Sequence, residues 1–290
     1  MNNISNCPIC DGAGFEVVLN AKDYTVSGEV FAIVACKSCN FHFTNPIPKP
    51  DEIGGYYKAE SYVSHTSSKK GIINRIYHIV RKYTLKQKVK LVRKYASGSN
   101  TLDIGAGTGH FVRALRKAGF DAIGMEPDMD ARNVAKISNG LDLLPIQKLQ
   151  TVEKNSQDII TMWHVLEHVY DLHADVKRIS EILRDNGTLI VAVPNRLSYD
   201  AEKYGEYWAA YDLPIHLYHF TPKDIETLFQ KVGLELKEVL PMKFDSYYVS
   251  MLSEKYKEGN IINAIWSGFM SNFKATKGSY SSQIYILKKK

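Results

Sequence analysis

Apolar positions along this chain follow two rhythms. Short runs ending at Leu102 and Ile104, and over 122–125, 141–144, 158–163, 188–193, 234–240 and 282–287, read as strands. Between them, 111–119, 128–138, 172–183 and 221–232 read as helices, with Phe111, Val112 and Leu115 on one face of the first. Local signals agree. Gly119 stops a helix, Asn186-Gly187 turns into a strand, and Thr221 offers an N-cap with Pro222 at the first helical position. Strands alternating with helices predict an α/β fold, a mostly parallel sheet with helices on both faces.

Upstream the pattern changes. Residues 15–19 and 31–34 read as the strands of a hairpin, and 45–50 holds three prolines, which favour a stiff extended linker. Residues 51–65 are rich in tyrosine (Tyr56, Tyr57, Tyr62), and a helix is expected over 69–96. The expected organisation is a small β unit at 1–50, a linker and helix at 51–97, and the main domain at 98–290. Within the last, 196–220 and 245–280 stand as an insertion and a lid.

Thr101-Leu-Asp-Ile-Gly-Ala-Gly-Thr-Gly-His-Phe111 is the stretch richest in chemistry. Gly105, Gly107 and Gly109, with Ala106 among them, allow tight turns and close approach of a ligand to the backbone. The next strand ends in Glu126, about twenty residues on, where a βαβ unit places an acid beside a ribose. A nicotinamide fingerprint needs Gly-x-Gly-x-x-Gly to seat a pyrophosphate. Here the order is Asp103-x-Gly105-x-Gly107-x-Gly109, and the leading acid suits a ligand with a cationic amino-acid end.

This turn resembles motif I of the class I S-adenosylmethionine-dependent methyltransferases, and Glu126 matches their ribose-binding acid. Three further segments extend the likeness to the bacterial group related to the ubiquinone-pathway O-methyltransferases, over about residues 98–240. They are Trp163-His-Val-Leu-Glu-His-Val169, Pro194-Asn195, and Leu213-Pro-Ile-His-Leu-Tyr-His-Phe-Thr-Pro222. The resemblance implies a Rossmann-like seven-stranded sheet and S-adenosylmethionine as cofactor. It places Asp103 and the turn amides at the methionine end, Pro127 beside the adenine, and Trp163 and His164 near the methionine portion. Core packing is the competing role for Trp163.

All four cysteines fall in two pairs, Cys7/Cys10 and Cys36/Cys39, each Cys-x-x-Cys and each beside a hairpin strand. Such knuckles bring four thiolates within tetrahedral reach of one Zn²⁺. An expected reduced, cytoplasmic setting favours metal over disulfides. Four sulfur ligands close the site, so the zinc is read as structural. His42 nearby is read as a surface residue. The ribbon ahead of such a domain is similar to the layout of sugar C-methyltransferases and of methyltransferases found among surface-polysaccharide genes.

At 290 residues and 44% hydrophobic, the chain can bury one large core and a small accessory unit. Its start lacks the charged-then-apolar pattern of a signal peptide, and no run reaches the roughly 18–20 residues of a membrane span. The net charge of +6 is uneven: 69–96 carries ten Lys or Arg and no acid. That helix is either a solvated basic face or a contact for anionic lipid, nucleic acid or a phosphorylated substrate. The apolar run 261–270 reads as a lid, a dimer contact or a shallow peripheral membrane element. The oligomeric state stays open.

A hydroxyl or carbon-acid acceptor needs a base, and histidine titrates in the useful range. His164, His168, His216 and His219 cluster in the two motif segments. His216 is the first choice as base or acceptor contact, because the preceding insertion walls a pocket. Glu167 and His168 come next, and His219 is read as structural. Three functions compete. The preferred one is a small-molecule methyltransferase acting on a sugar or a nucleotide- or lipid-linked sugar. The second is an RNA methyltransferase, against which Met162-Trp-His-Val165 lacks the Asp/Asn-Pro-Pro-aromatic turn. The third is a non-catalytic binder on the same fold.

Overall fold

The structure, a computed structural model, describes residues 1–57, 72–275 and 278–289. Tyr62 and the expected start of the basic helix at 69–71 lie outside the described residues. The N-terminal hairpin forms with longer strands than expected: β1 (Phe15–Lys22) pairs antiparallel with β2 (Val30–Cys36). Asp23 closes their turn by accepting the N–H groups of Thr25, Val26 and Ser27. A short β3 (His42–Thr44) then pairs with β2.

Helix α1 (Ile72–Tyr95) leads into β4 (Asn100–Ile104), α2 (His110–Lys117), β5 (Asp121–Met125) and α3 (Met129–Asn139). The order continues with β6 (Gln157–Trp163), α4 (Leu172–Ile182), β7 (Leu183–Pro194) and α5 (Tyr199–Tyr204). Then come β8 (Tyr218–His219), α6 (Pro222–Gln230), β9 (Leu234–Pro241), α7 (Asp245–Tyr256), α8 (Ile261–Lys274) and β10 (Ser282–Lys289). Thr221 caps α6 in a full capping box with Asp224, so the Thr-Pro signal marks its start correctly.

The large sheet has the order β5-β4-β6-β7-β10-β9. It is parallel from β5 to β7, and β10 runs antiparallel to both of its neighbours. Leu102, Ile104, Ile160, Met162, Leu189 and Val191 are buried in its centre, as strands covered on both faces require. Among the described residues this sheet has six strands, where seven were expected. Residues 141–144 make a single parallel bridge, Met125 with Leu144. Leu141 and Leu143 are buried and Asp142 is exposed, so the alternation is real. Pro145 follows at once, with no N–H to continue a ladder, and the chain turns into a 3₁₀ stretch at Ile146–Thr151.

The ribbon does not stand apart. Its β3 pairs with β8, His42 opposite His219 and Phe43 opposite Tyr218, giving a four-stranded sheet β1-β2-β3-β8. Cys7, Ile9, Phe41 and Phe43 share one hydrophobic cluster with Leu217, Phe220 and Phe229. His42, expected at the surface, is consequently half-buried. The 245–280 region forms α7 and α8, packed on each other through Ser246, Tyr247 and Gly268. No helix among the described residues is long and apolar enough to cross a membrane.

Candidate active site

β4 delivers the chain to the glycine turn at the sheet's carboxyl edge. Gly105 has φ 73°, and a Cβ there would stand 2.2 Å from Cγ2 of Val165. Gly107 has φ 53° and open space around its missing Cβ, as a backbone that must meet a ligand requires. The N–H groups of Gly105 and Ala106 donate to Met125 O, tying the turn to the end of β5. Gly109, also at positive φ, starts α2.

Glu126 follows β5. Its Oε2 accepts the Gly107 N–H at 2.7 Å and its Oε1 the Asp128 N–H at 3.0 Å. Burial raises its affinity for a proton, against the opposing pull of those two amides. Arg132 donates to the carbonyls of Glu126 and Pro127, which fixes Pro127 at the rim of the turn.

Asp103 is buried inside the turn, and Thr161 donates to its Oδ1 at 2.6 Å. Burial pushes its carboxyl up to about 7, although the Thr161 hydroxyl and the Lys88 ammonium pull the other way. Lys88, on α1, lies 4.1 Å over the Trp163 ring, and Trp163 meets Phe111 edge-on at 5.7 Å. The buried Trp163 Nε1 makes no hydrogen bond among the described residues.

Beyond Trp163 the chain turns sharply at His164, whose φ is 56°. His164 lies between two carboxylates, with Nε2 2.9 Å from Asp245 Oδ2 and Nδ1 3.2 Å from Glu167 Oε1. Burial alone would disfavour its charge. The hydrogen bonds to Asp245 and Glu167 outweigh that and push its pKa up to about 10, so it is an imidazolium at neutral pH. Glu167 is correspondingly held below the usual carboxylate range by His164, against the burial that would raise it.

His168 and His216 stand beside that carboxylate, their rings edge to face at 4.6 Å between centroids. The Nδ1 of His168 is 3.0 Å from Ile215 O and 3.0 Å from the Tyr57 hydroxyl. The Nδ1 of His216 is 2.8 Å from Ala210 O. Burial depresses His216 to about 3, leaving a neutral ring that is a poor proton acceptor as it stands. Thr44 of the ribbon donates to the His216 carbonyl at 2.7 Å and sits 3.2 Å from His219 Nε2. The expected histidines therefore converge, with His219 turned to the ribbon.

A family model described as "Methyltransferase domain" matches residues 77–239, more than half of the chain. The chain belongs to this methyltransferase domain family. It is an S-adenosylmethionine-dependent methyltransferase (EC 2.1.1.-). The ubiquinone biosynthesis O-methyltransferase of Nitrosococcus oceani is 26% identical over 191 residues, 61% of this chain and 79% of that protein. The enzyme of the same name from Rhodopseudomonas palustris is 34% identical over 105 residues, 34% of this chain and 42% of that protein. Among solved structures, a methyltransferase from Thermotoga maritima shares the fold at TM-score 0.51 and 18% identity, covering 74% of this chain and 96% of that one. Another from Archaeoglobus fulgidus gives 0.50 and 16%, covering 72% and 94%.

The methyltransferase's own residues fit the cofactor its family implies. Gly107 leaves open space, Asp103 offers a buried carboxylate, and the Trp163 indole N–H has no hydrogen-bond partner among the described residues. Lys88, Thr161 and Asp245 were missed from the sequence. Lys88 was hidden in the basic run, yet it lies in line with Leu85 and Val92 on the apolar stripe of α1, an odd place for a solvated lysine. Asp245 comes from a region without motifs, and nothing local could connect it to His164.

The four cysteines meet in the ribbon. Their Sγ atoms lie within 4.8 Å of one another, with Cys7–Cys39 at 3.5 Å and Cys10–Cys36 at 3.6 Å. A zinc tetrahedron with bonds near 2.3 Å has sulfur–sulfur edges of about 3.8 Å, so the cluster is consistent with a zinc site. Both knuckles end alike, with Asp11 and Asn40 at positive φ and their N–H groups bonded back to Cys7 O and Cys36 O.

Proposed function

We propose that this methyltransferase modifies a small-molecule acceptor, a sugar or a nucleotide- or lipid-linked sugar, with zinc held structurally by Cys7, Cys10, Cys36 and Cys39. The observation that carries this reading is the β3–β8 pairing. The ribbon edge supports the very segment that brings His216 to Glu167 and His168, so the ribbon is part of the acceptor wall. That arrangement agrees with the resemblance to ribbon-bearing sugar C-methyltransferases.

The cofactor supplies an activated methyl sulfonium, and the protein's work is largely orientation, which can lower a barrier by about 7–11 kcal/mol. Glu126 binds the ribose hydroxyls. Asp103 and the turn amides hold the methionine end, and Pro127 lies against the adenine. Trp163 and His164 bound the methionine portion, while Glu167, His168 and His216 face the acceptor. The RNA reading is weaker because Met162-Trp-His-Val165 lacks the Asp/Asn-Pro-Pro-aromatic turn, and three basic residues of α1 have partners within the fold. Lys88 sits over Trp163, Arg93 donates to Ala118 O, and Lys94 pairs with Glu238.

The deciding experiment titrates S-adenosylmethionine and S-adenosylhomocysteine calorimetrically into wild type and Glu126→Ala, then screens sugar nucleotides and RNA as acceptors. Binding that collapses in the variant, followed by turnover of a sugar nucleotide, supports the proposal. Turnover of RNA with steep salt dependence replaces it with the second reading. His216→Ala is expected to bind cofactor normally and lose turnover.

A further inference from the structure

We propose that Glu167, His168 and His216 form a second metal site, distinct from the cysteine cluster, which binds one divalent first-row transition ion at the acceptor side. One carboxylate oxygen of Glu167 and one ring nitrogen from each histidine lie within 4.8 Å of one another. Nitrogen and carboxylate ligands bind such ions at about 2.0–2.2 Å, so a set gathered this closely closes on one ion by small side-chain movements.

Three further observations point to an ion. Glu167 is fully buried, and while Oε1 faces His164, Oε2 accepts no hydrogen bond among the described residues. A buried carboxylate oxygen without a donor is expensive, and a cation resolves the expense. Each histidine is also already set as a ligand. A backbone carbonyl can only accept, so the Nδ1 of His216 donates to Ala210 O, and that of His168, which the Tyr57 hydroxyl also meets at 3.0 Å, donates to Ile215 O. With the proton on Nδ1, Nε2 is the nitrogen left to bind an ion, the tautomer that a ligating histidine is given by its outer hydrogen bond. Finally, His164 braces the carboxylate from behind and is itself braced by Asp245, the kind of outer support that orients metal ligands.

Two imidazoles and a carboxylate select Mn, Fe, Co, Ni or Zn over Ca²⁺ or Mg²⁺, which prefer all-oxygen shells. Three protein ligands also leave positions open. Resting on the transferase reading above, those positions take the acceptor, which is then a molecule offering an oxygen, or two adjacent oxygens, as ligands. The ion would lower the pKa of a bound hydroxyl.

The test uses intact zinc-loaded protein and Co²⁺ as the probe, with metal analysis confirming that the ribbon zinc is retained. Calorimetric titration should show one saturable Co²⁺ site per chain. NMR of the wild type should show paramagnetic effects strongest on the rings of His168 and His216 and weak on that of His110. Glu167→Gln and His216→Ala should each lower Co²⁺ affinity about 100-fold or more, while S-adenosylhomocysteine affinity, which reports folding and the transferase site, is kept. Absence of saturable binding, or ring signals of His168 and His216 untouched by Co²⁺, overturns the proposal even if the variants fail to fold. Binding of Co²⁺ without binding of S-adenosylhomocysteine would keep the metal site and remove only the transferase reading.

Discussion

Glu126 Oε2 accepts the Gly107 N–H at 2.7 Å, so the acid that ends β5 is also the clasp of the glycine turn. The same carboxylate is expected to serve the ribose hydroxyls, and its two functions can be separated by substitution. Glu126→Gln should keep one acceptor oxygen and most of the turn, whereas Glu126→Ala loses both. Hydrogen bonds to a charged group contribute about 1.5–3 kcal/mol each. Calorimetry should therefore find S-adenosylhomocysteine affinity about 10- to 150-fold weaker in Glu126→Gln and weaker again in Glu126→Ala. Equal affinity in all three proteins would remove Glu126 from the cofactor site.

Asp103 predicts a pH dependence. Burial sets its pKa near 7, well above the usual carboxylate range, with Thr161 and Lys88 restraining the rise. The unfolded chain ionises this group near 3.9, so the folded state holds the proton longer. Stability contributed by Asp103 is full below about 4, declines as pH rises, and levels off above about 7. Binding of a cationic amino-acid end runs the opposite way, because it needs the ionised form. Affinity for S-adenosylhomocysteine should rise about tenfold between pH 6 and pH 8. Lys88→Met should move that rise to higher pH, since the ammonium favours ionisation. A flat profile from pH 6 to 8 would show that Asp103 does not meet the cofactor's charge.

The fold around the glycine turn was legible in the sequence because its signals are local. Leu102, Ile104, the three glycines, Phe111 and Glu126 lie within one βαβ unit, and each fixes a conformation by its own chemistry. The strand expected at 141–144 shows the limit of periodicity. Alternation predicted the side-chain directions, but Pro145 cut the ladder to one bridge. Contacts between distant segments were not legible. Nothing in the local pattern assigns the two residues of β8 to the ribbon sheet, or Asp245 to His164 across 81 positions. His216 was found as a motif residue, but its neutral buried state depends on Ala210 and on the fold around it.

The β3–β8 seam predicts that the ribbon matters for the acceptor more than for the cofactor. Thr44 Oγ1 is buried and donates to the His216 carbonyl. Thr44→Val removes that donor at nearly constant volume and leaves a buried carbonyl short of a partner, a cost of about 1–3 kcal/mol. Thermal unfolding should shift downward and the acceptor KM should rise, with S-adenosylhomocysteine affinity unchanged. With zinc in the cysteine cluster as proposed, chelation should do the same more severely, since zinc binding supplies about 10–16 kcal/mol in small zinc peptides. Unchanged melting and unchanged acceptor KM after complete zinc removal would separate the ribbon from the active site.

Gly105 and Gly107 offer the sharpest contrast, because they are two residues apart and differ in what a methyl group would meet. At Gly105 a Cβ would lie 2.2 Å from Val165 Cγ2, with φ at 73°. Gly105→Ala must displace the segment after β6, and overpacking of that kind costs about 1–3 kcal/mol. At Gly107 a Cβ meets nothing within 4 Å, so Gly107→Ala carries only the left-handed backbone cost of about 1–2 kcal/mol. In the proposed cofactor site, its methyl would instead stand in the space left for the ligand. Gly105→Ala should thus lower the melting temperature more, while Gly107→Ala should lose more cofactor affinity per unit of stability lost. Measuring Tm and S-adenosylhomocysteine binding on both variants checks this. If Gly107→Ala binds as tightly as wild type, the open space at Gly107 is not where the cofactor approaches the turn.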